Sequence, residues 1–140
     1  MKVGLFIPCY INAIYPNVGV ASYKLLKSLG VDVDYPLDQT CCGQPMANAG
    51  FEDESMKLAL RFDDLFREYD YIVGPSASCV AFVKENHPVS LKKKGTSARV
   101  RGRFTTFASL SMMCLNRRRY PHASRIKSVS TTVATVCVNS

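Results

Sequence analysis

The sequence lacks several features that would each assign it to a particular class of protein. It contains no run of eighteen apolar residues, so no membrane-spanning segment is expected. The apolar stretch after Met1 is too short for a signal peptide and ends without a small-residue cleavage site, so the expected location is the cytoplasm. No GxGxxG motif follows this stretch, which argues against a dinucleotide-binding loop.

Acidic residues are absent from the last fifty positions. Residues 1–90 contain seven Lys and Arg against all eleven Asp and Glu, a net charge of −4, whereas residues 91–140 contain eleven Lys and Arg, a net charge of +11. Such a basic segment is typical of proteins that bind nucleic acids or anionic surfaces. However, it has no interleaved aromatic residues of the kind that stack on bases, and we expect no nucleic-acid partner.

The first ninety residues alternate predicted strands with predicted helices. Apolar runs of strand length indicate strands at residues 3–7, 31–35 and 71–75. Helical spacing indicates helices at residues 17–29, 52–69 and 76–85. This order implies right-handed crossovers and a parallel sheet. The predicted class is therefore α/β, with a small parallel sheet and flanking helices over residues 1–90 and an irregular tail.

Four cysteines fall at or just after the ends of the predicted strands: Cys9, Cys41, Cys42 and Cys79. Open α/β sheets bind ligands beyond the carboxyl ends of their strands, so these thiols are expected to converge. Four thiolates suit an iron–sulfur cluster, and zinc is the alternative metal. Two interpretations without a metal remain, namely small buried apolar side chains and a thiol–disulfide redox site.

Three segments around these cysteines carry a resemblance to a known family. They are Gly4–Tyr10 (GLFIPCY), Tyr35–Pro45 (YPLDQTCCGQP) and Gly74–Val80 (GPSASCV). In this order they resemble the CCG cysteine-rich domain of heterodisulfide reductase B subunits, glycolate oxidase iron–sulfur subunits and lactate-utilisation proteins. The A-subunit type of the lactate-utilisation group is the most similar. The resemblance covers about residues 1–90.

The resemblance implies an oxidoreductase subunit that transfers electrons during the oxidation of L-lactate to pyruvate. It implies other iron–sulfur and accessory subunits as partners, and a [4Fe–4S] cluster held by the four cysteines. No catalytic residue is predicted. Where the heterodisulfide branch has a CxxC pair, this chain has Ser76 and Cys79, which argues against a five-thiolate double cluster. Within a four-cysteine site, Cys41 and Cys42 would have to bind different irons.

The basic tail has a second interpretation at the level of nucleotides. Read one base back, the codons of Gly102–Leu115 permit KIYDICEFIHDVL, which resembles a helix between the two repeats of this family. The codons of Ser130–Ser140 permit HNSCHGVREL, which resembles the start of the second repeat. We therefore predict a CCG domain at residues 1–90 and out-of-frame sequence at 91–140, with Lys92–Lys94 as the slip point. No function is then expected of three tail residues: Cys114, His122 and Cys137.

Several other polar residues are of types that occur in functional sites. We expect His87 to be a residue at a helix end rather than a ligand. Asp63, Asp64 and the acidic run at 52–54 are expected to face solvent. Three residues flank the cysteines and are candidates to hydrogen-bond the cluster sulfurs: Tyr10, Gln39 and Gln44.

Overall fold

The computed structural model describes residues 2–97, 100 and 104–106, and it contains one four-stranded parallel sheet. The strands are β1 (Lys2–Leu5), β2 (Asp32–Asp34), β3 (Tyr71–Gly74) and β4 (Phe104–Thr106), in the spatial order β2-β1-β3-β4. The helices are α1 (Cys9–Ile14), α2 (Pro16–Ser28), α3 (Gln44–Asn48), α4 (Glu52–Phe66) and α5 (Ala77–Lys93). The predicted α/β class, parallel sheet and flanking helices are confirmed.

The strand order places a crevice at one point along the edge of the sheet. From β1 the chain crosses to β2 on one side and then returns to β3 on the other side of β1. Phe6 continues the pairing beyond β1, because its amide donates to the Val73 carbonyl at 2.9 Å. Ligands of open α/β sheets bind where the strand order reverses in this way. The crevice therefore lies beyond the carboxyl ends of β1 and β3.

Both faces of the sheet are buried, as the continuous apolar run of β1 requires. Val3, Leu5 and Ile7 pack with α2 on one face, whereas Phe6 belongs to a cluster with α4 and α5 on the other. Gly4 is needed for close packing, since a Cβ there would lie 2.9 Å from the rings of Phe66 and Tyr69. The sheet is therefore a rigid platform for the residues that follow its strands.

Several helical features differ from the sequence prediction. The helix predicted over residues 76–85 extends to Lys93, through Pro88, because Leu91 is fully buried and packing outweighs the helix-breaking tendency of proline. The short helices α1 and α3 were not predicted. Of the two aspartates expected to face solvent, Asp64 is exposed, but Asp63 is only 5% exposed and accepts a hydrogen bond from the Val100 amide at 3.2 Å.

The sheet includes residues beyond position 90. Strand β4 pairs in parallel with β3, with Ile72 opposite Phe104, and both Val100 and Phe104 are buried. The predictions for Cys114, His122 and Cys137 lie outside the described residues. Over the part of the chain that is described, no helix is long and apolar enough to cross a membrane.

The stability of the fold is expected to depend on pH because of a hydrogen bond at the edge of the sheet. The Tyr69 hydroxyl donates to Asp34 Oδ2 at 2.7 Å, and this bond, followed by the charge of Lys2, lowers the pKa of the Asp34 carboxyl. Because this pKa is lower in the folded chain, the bond stabilises the fold above the unfolded pKa of about 3.9 and loses its effect as the pH falls through the folded pKa. Asp34 is half exposed, so solvent screens much of the effect.

We expect Tyr69→Phe to lower the free energy of unfolding at pH 7 by about 1 kcal/mol. The deficit should shrink below about pH 3.9, where Asp34 takes up a proton in the unfolded chain more readily than in the folded one. Urea unfolding at pH 7, 5 and 3 measures it, with Tyr15→Phe as a control on a half-exposed side chain. A deficit of equal size at pH 7 and pH 3 would contradict the assignment.

Candidate cysteine site

The four predicted cysteines all lie at the carboxyl edge of the sheet. Cys9 begins α1, with three residues between it and the end of β1, and Cys79 lies in the first turn of α5 after β3. Cys41 and Cys42 lie in the loop that leads from β2 to α3. Because β1 and β3 flank the crevice, Cys9 and Cys79 approach it from both sides, and the loop brings the adjacent cysteines to it.

The cysteines form two pairs. The Sγ atoms of Cys9 and Cys41 lie 3.4 Å apart, at the more exposed end of the site. Cys42 and Cys79 are both buried, and the Cys42 thiol hydrogen-bonds to the Cys79 sulfur. The pairs are close enough for electrostatic interaction, between Cys41 and Cys42 and between Cys9 and Cys79. Across the described ranges, no three His, Cys, Asp or Glu side chains are grouped closely enough to hold a metal ion as they stand.

The pKa values of the two buried thiols are shifted in opposite directions. The hydrogen bond to Cys79, followed by burial, raises the pKa of Cys42. The same bond, together with hydrogen bonds from the Ser76 and Ser78 hydroxyls, lowers the pKa of Cys79 to about 6 against the opposing effect of burial. The amino-terminal turn of a helix also favours a thiolate. Cys79 is therefore the anionic partner of this pair near neutral pH.

Ser76 has two roles that the sequence analysis did not find. Its hydroxyl caps α5 by accepting from the Cys79 amide at 3.4 Å, and it also hydrogen-bonds the Cys79 sulfur. The side chain is only 4% exposed. A serine three residues before the cysteine, at the start of a predicted helix, was the available signal for a cap.

The glycine of the CCG triplet is required by the backbone. Gly43 has φ +91°, a left-handed conformation that favours glycine. A Cβ at this position would also lie 3.0 Å from Ser55 Oγ and 3.2 Å from the Ser55 carbonyl oxygen. The loop therefore turns sharply against α4 and directs the Gly43 amide to Cys41 Sγ, at 3.4 Å.

Tyr10 and Gln44 act on the sulfurs through their backbone amides rather than through their side chains. Burial raises the pKa of Cys9 and the contact with Cys79 raises that of Cys42, and the backbone amides of Tyr10 and Gln44 partly oppose these two shifts. The Gly43 amide donates to Cys41 Sγ at 3.4 Å, and the Ser76 and Ser78 hydroxyls lower the pKa of Cys79. Hydrogen bonds of this kind stabilise the negative charge that a metal-binding thiolate carries.

The side chain of Gln39 fastens the cysteine loop to the sheet. The sequence made it a candidate to hydrogen-bond a sulfur, but in the structure it hydrogen-bonds backbone groups. Its Oε1 accepts from the Ile7 amide at 2.7 Å. Its Nε2 donates to the carbonyls of Leu5 and Pro36, at 3.2 and 2.8 Å. The side chain therefore replaces a strand pairing between the end of β1 and the loop that follows β2.

We expect Gln39→Leu to lower the free energy of unfolding by about 2–3 kcal/mol, because three backbone groups lose a partner. Chemical denaturation measures the loss. The matched control is Gln44→Leu, for which we expect a change within about 0.5 kcal/mol because the contact of Gln44 with the site is made by its backbone. Equal losses in the two variants would contradict this role for Gln39.

The sequence predicts His87 at a helix end, but the residue lies within α5 and is 2% exposed. Its Nε2 donates to the Cys42 carbonyl at 2.8 Å. Burial is the main cause that lowers the pKa of His87, so the ring is neutral at pH 7. The buried residues Val83 and Leu91 lie four positions on either side, and this spacing was the signal in the sequence.

Comparison with known proteins gives a family match and several curated relatives. The family model described as "CCG: Cysteine-rich domain" matches residues 3–84. Lactate utilization protein A of Exiguobacterium sp. is 44% identical over 86 residues, 60% of this chain and 35% of the relative. The proteins of the same name from Geobacillus thermodenitrificans and Bacillus pumilus are 45% and 44% identical over 85 and 93 residues, 61% and 66% of this chain and 36% and 39% of the relatives.

The chain spans little more than a third of the length of these curated relatives, 35–39%. No solved structure matches the chain at a significant level.

Proposed function

Because the chain belongs to the CCG cysteine-rich domain family, we propose that Cys9, Cys41, Cys42 and Cys79 bind an iron–sulfur cluster of the [4Fe–4S] type. The observation that carries this proposal is that the four thiols converge at the carboxyl edge of the sheet, with the Cys9 and Cys41 sulfurs 3.4 Å apart and Cys42 and Cys79 forming a buried pair. Four converging cysteine sulfurs are the ligands that an iron–sulfur cluster requires.

The arrangement of the four cysteines also suits an iron–sulfur cluster. The adjacent residues Cys41 and Cys42 belong to different pairs, the first with Cys9 and the second with Cys79. Two ligands from adjacent residues that face different neighbours are suited to binding different irons. When bound, the cluster supplies reversible one-electron transfer. The chain supplies four ligands, a backbone donor from Gly43 to the Cys41 sulfur, and an exposed end at Cys9 toward which a redox partner can approach.

The names of the relatives support a biological role for this site. Proteins called Lactate utilization protein A match 85–86 residues of the chain, and the family model matches residues 3–84, which contain all four cysteines. We assign the chain to electron transfer in the oxidation of L-lactate to pyruvate, as an oxidoreductase subunit acting in the cytoplasm. Its partners on this proposal are other iron–sulfur and accessory subunits of a lactate oxidation complex.

Two alternatives use the same cysteines without electron transfer through a cluster. Zinc is favoured by the 3.4 Å between the Cys9 and Cys41 sulfurs, which is near the S···S edge of about 3.8 Å in a tetrahedral site with Zn–S bonds of about 2.3 Å. A thiol–disulfide site is favoured by the bonded pair of Cys42 and Cys79, in which one thiol is a thiolate near neutral pH.

Anaerobic reconstitution of the full chain with ferrous iron and sulfide separates these functions. The proposed cluster predicts about four irons per chain and broad absorbance near 400 nm. A colourless chain that retains about one zinc under the same conditions would favour the zinc site. A chain that binds neither metal but forms a Cys42–Cys79 disulfide on mild oxidation, mapped by peptide mass spectrometry, would favour the thiol–disulfide function.

We further infer that the sequence after about residue 90 is out of frame. In support, the family model ends at residue 84 and the matches to relatives cover 85–93 residues. The burial of Phe104 does not contradict this inference, because a translated segment can pack against the core in any reading frame. Nucleotide sequencing across codons 85–140 and downstream tests the inference. A one-base correction should open a second CCG repeat, and an uninterrupted frame with no such repeat downstream would refute it.

A further inference from the structure

The peptide unit between Cys42 and Gly43 is held at both of its polar ends. Its carbonyl oxygen accepts from His87 Nε2 at 2.8 Å, and its amide donates to Cys41 Sγ at 3.4 Å. In a planar trans peptide the C=O and N–H bonds point in opposite directions. An imidazole that holds the carbonyl on the inner side therefore also aims the amide outward, toward the Cys41 sulfur.

The surroundings of His87 explain why this position is not apolar. The ring makes edge contacts with Phe62 and Phe82, at centroid distances of 5.3 and 5.8 Å, and is almost fully buried. Its Nδ1 is also buried and has no hydrogen-bond partner among the described residues. An unsatisfied buried nitrogen is costly, so an aliphatic side chain would suit this environment better. The bond to the Cys42 carbonyl is what compensates for that cost.

We propose that His87 is a positioning residue of the cysteine site: it fixes the Cys42–Gly43 peptide plane so that the Gly43 amide is directed at the sulfur of Cys41. His87 itself acts through the backbone of a residue 45 positions away in the sequence. Polarised chains of hydrogen bonds strengthen one another, so the imidazole also makes the Gly43 amide a better donor. The geometry of this loop does not depend on the proposed cluster, whereas its consequence for cluster potential rests on that proposed function.

Amide hydrogen exchange of the ¹⁵N-labelled, metal-free full chain tests the loop geometry directly. In His87→Leu we expect exchange of the Gly43 amide to rise about tenfold, with little change at the amides of β1. In His87→Gln the side-chain amide can replace the Nε2 donor, and exchange should stay within about twofold of wild type. An unchanged Gly43 amide in a folded His87→Leu chain, or equal changes in both variants, would overturn the proposal.

His87→Asn provides the comparison if His87→Leu does not fold. Asparagine carries the same amide as glutamine but is one methylene shorter, so its nitrogen does not reach the Cys42 carbonyl. We expect the Asn variant to expose the Gly43 amide to exchange and the Gln variant to protect it. Similar exchange in these two variants would show that the bond to the carbonyl does not set the loop, and would refute the role of His87.

The reconstituted cluster provides a second readout. A hydrogen bond to a ligand sulfur favours the reduced cluster, so its loss in His87→Leu should make the midpoint potential more negative, while His87→Gln should remain near wild type. An unchanged potential in His87→Leu would overturn the influence on the sulfur. A chain that binds no cluster would contradict the proposed function, and the amide measurement would still decide the role of His87.

Discussion

Replacing any one of Cys9, Cys41, Cys42 and Cys79 with serine is expected to reduce the reconstituted iron content from about four per chain to less than about one. A serine hydroxyl stays protonated at neutral pH and is a poor substitute for a thiolate. With only four cysteine ligands on the carboxyl edge, no spare thiol is available within the described residues. Iron and acid-labile sulfide analysis, together with absorbance near 400 nm, measures the effect.

The chain contains its own matched controls for this experiment. Cys114 and Cys137 lie in the basic tail, for which we predict no function. Replacing either with serine should leave the iron content unchanged. Full iron content in the Cys42→Ser variant would remove that residue from the ligand set. An equal loss of iron in the tail variants would mean that the site is not confined to the four edge cysteines.

Phe104→Ala is expected to produce the largest loss of stability, about 3–4 kcal/mol in the free energy of unfolding. Phe104 is 1% exposed, and its ring lies 5.8 Å from that of Phe6 and 5.5 Å from that of Phe62. The substitution would leave a cavity between β4 and the helices on that face. Urea unfolding followed by circular dichroism measures the change.

Phe51→Ala is the matched control, because it is the same substitution at a side chain that is 60% exposed. We expect it to cost less than about 1 kcal/mol. If Phe104→Ala costs no more than Phe51→Ala, then β4 does not contribute to the stability of the sheet. The comparison therefore measures how much the residues beyond the predicted domain end at position 90 contribute to the stability of the fold.

The elements that could be predicted are those encoded in short stretches of sequence. The apolar run after Met1 identified β1, because a strand buried on both faces needs apolar residues at consecutive positions. The alternation of strands and helices implied a parallel sheet, because parallel strands require crossover connections. The helix predicted at 76–85 was too short, because burial of His87 and Leu91 carries α5 through Pro88.

The predictions about polar residues were less successful, since each depends on a partner distant in the sequence. Asp63 was expected on a solvated face, but the Val100 amide makes its burial possible. Gln39 was a candidate for the sulfurs, but three backbone groups at the edge of the sheet use its amide. No local pattern identifies such partners.

The sequence by itself determined the fold class and the placing of four cysteines at one edge, because strand order and strand ends follow from local patterns and chain connectivity. Only the tertiary structure decided how the site is arranged: Cys9 with Cys41, Cys42 with Cys79, and His87 behind the loop. These contacts join residues from 32 to 45 positions apart. Their geometry depends on how the strands and helices pack, and that packing is set by the whole core rather than by any one segment.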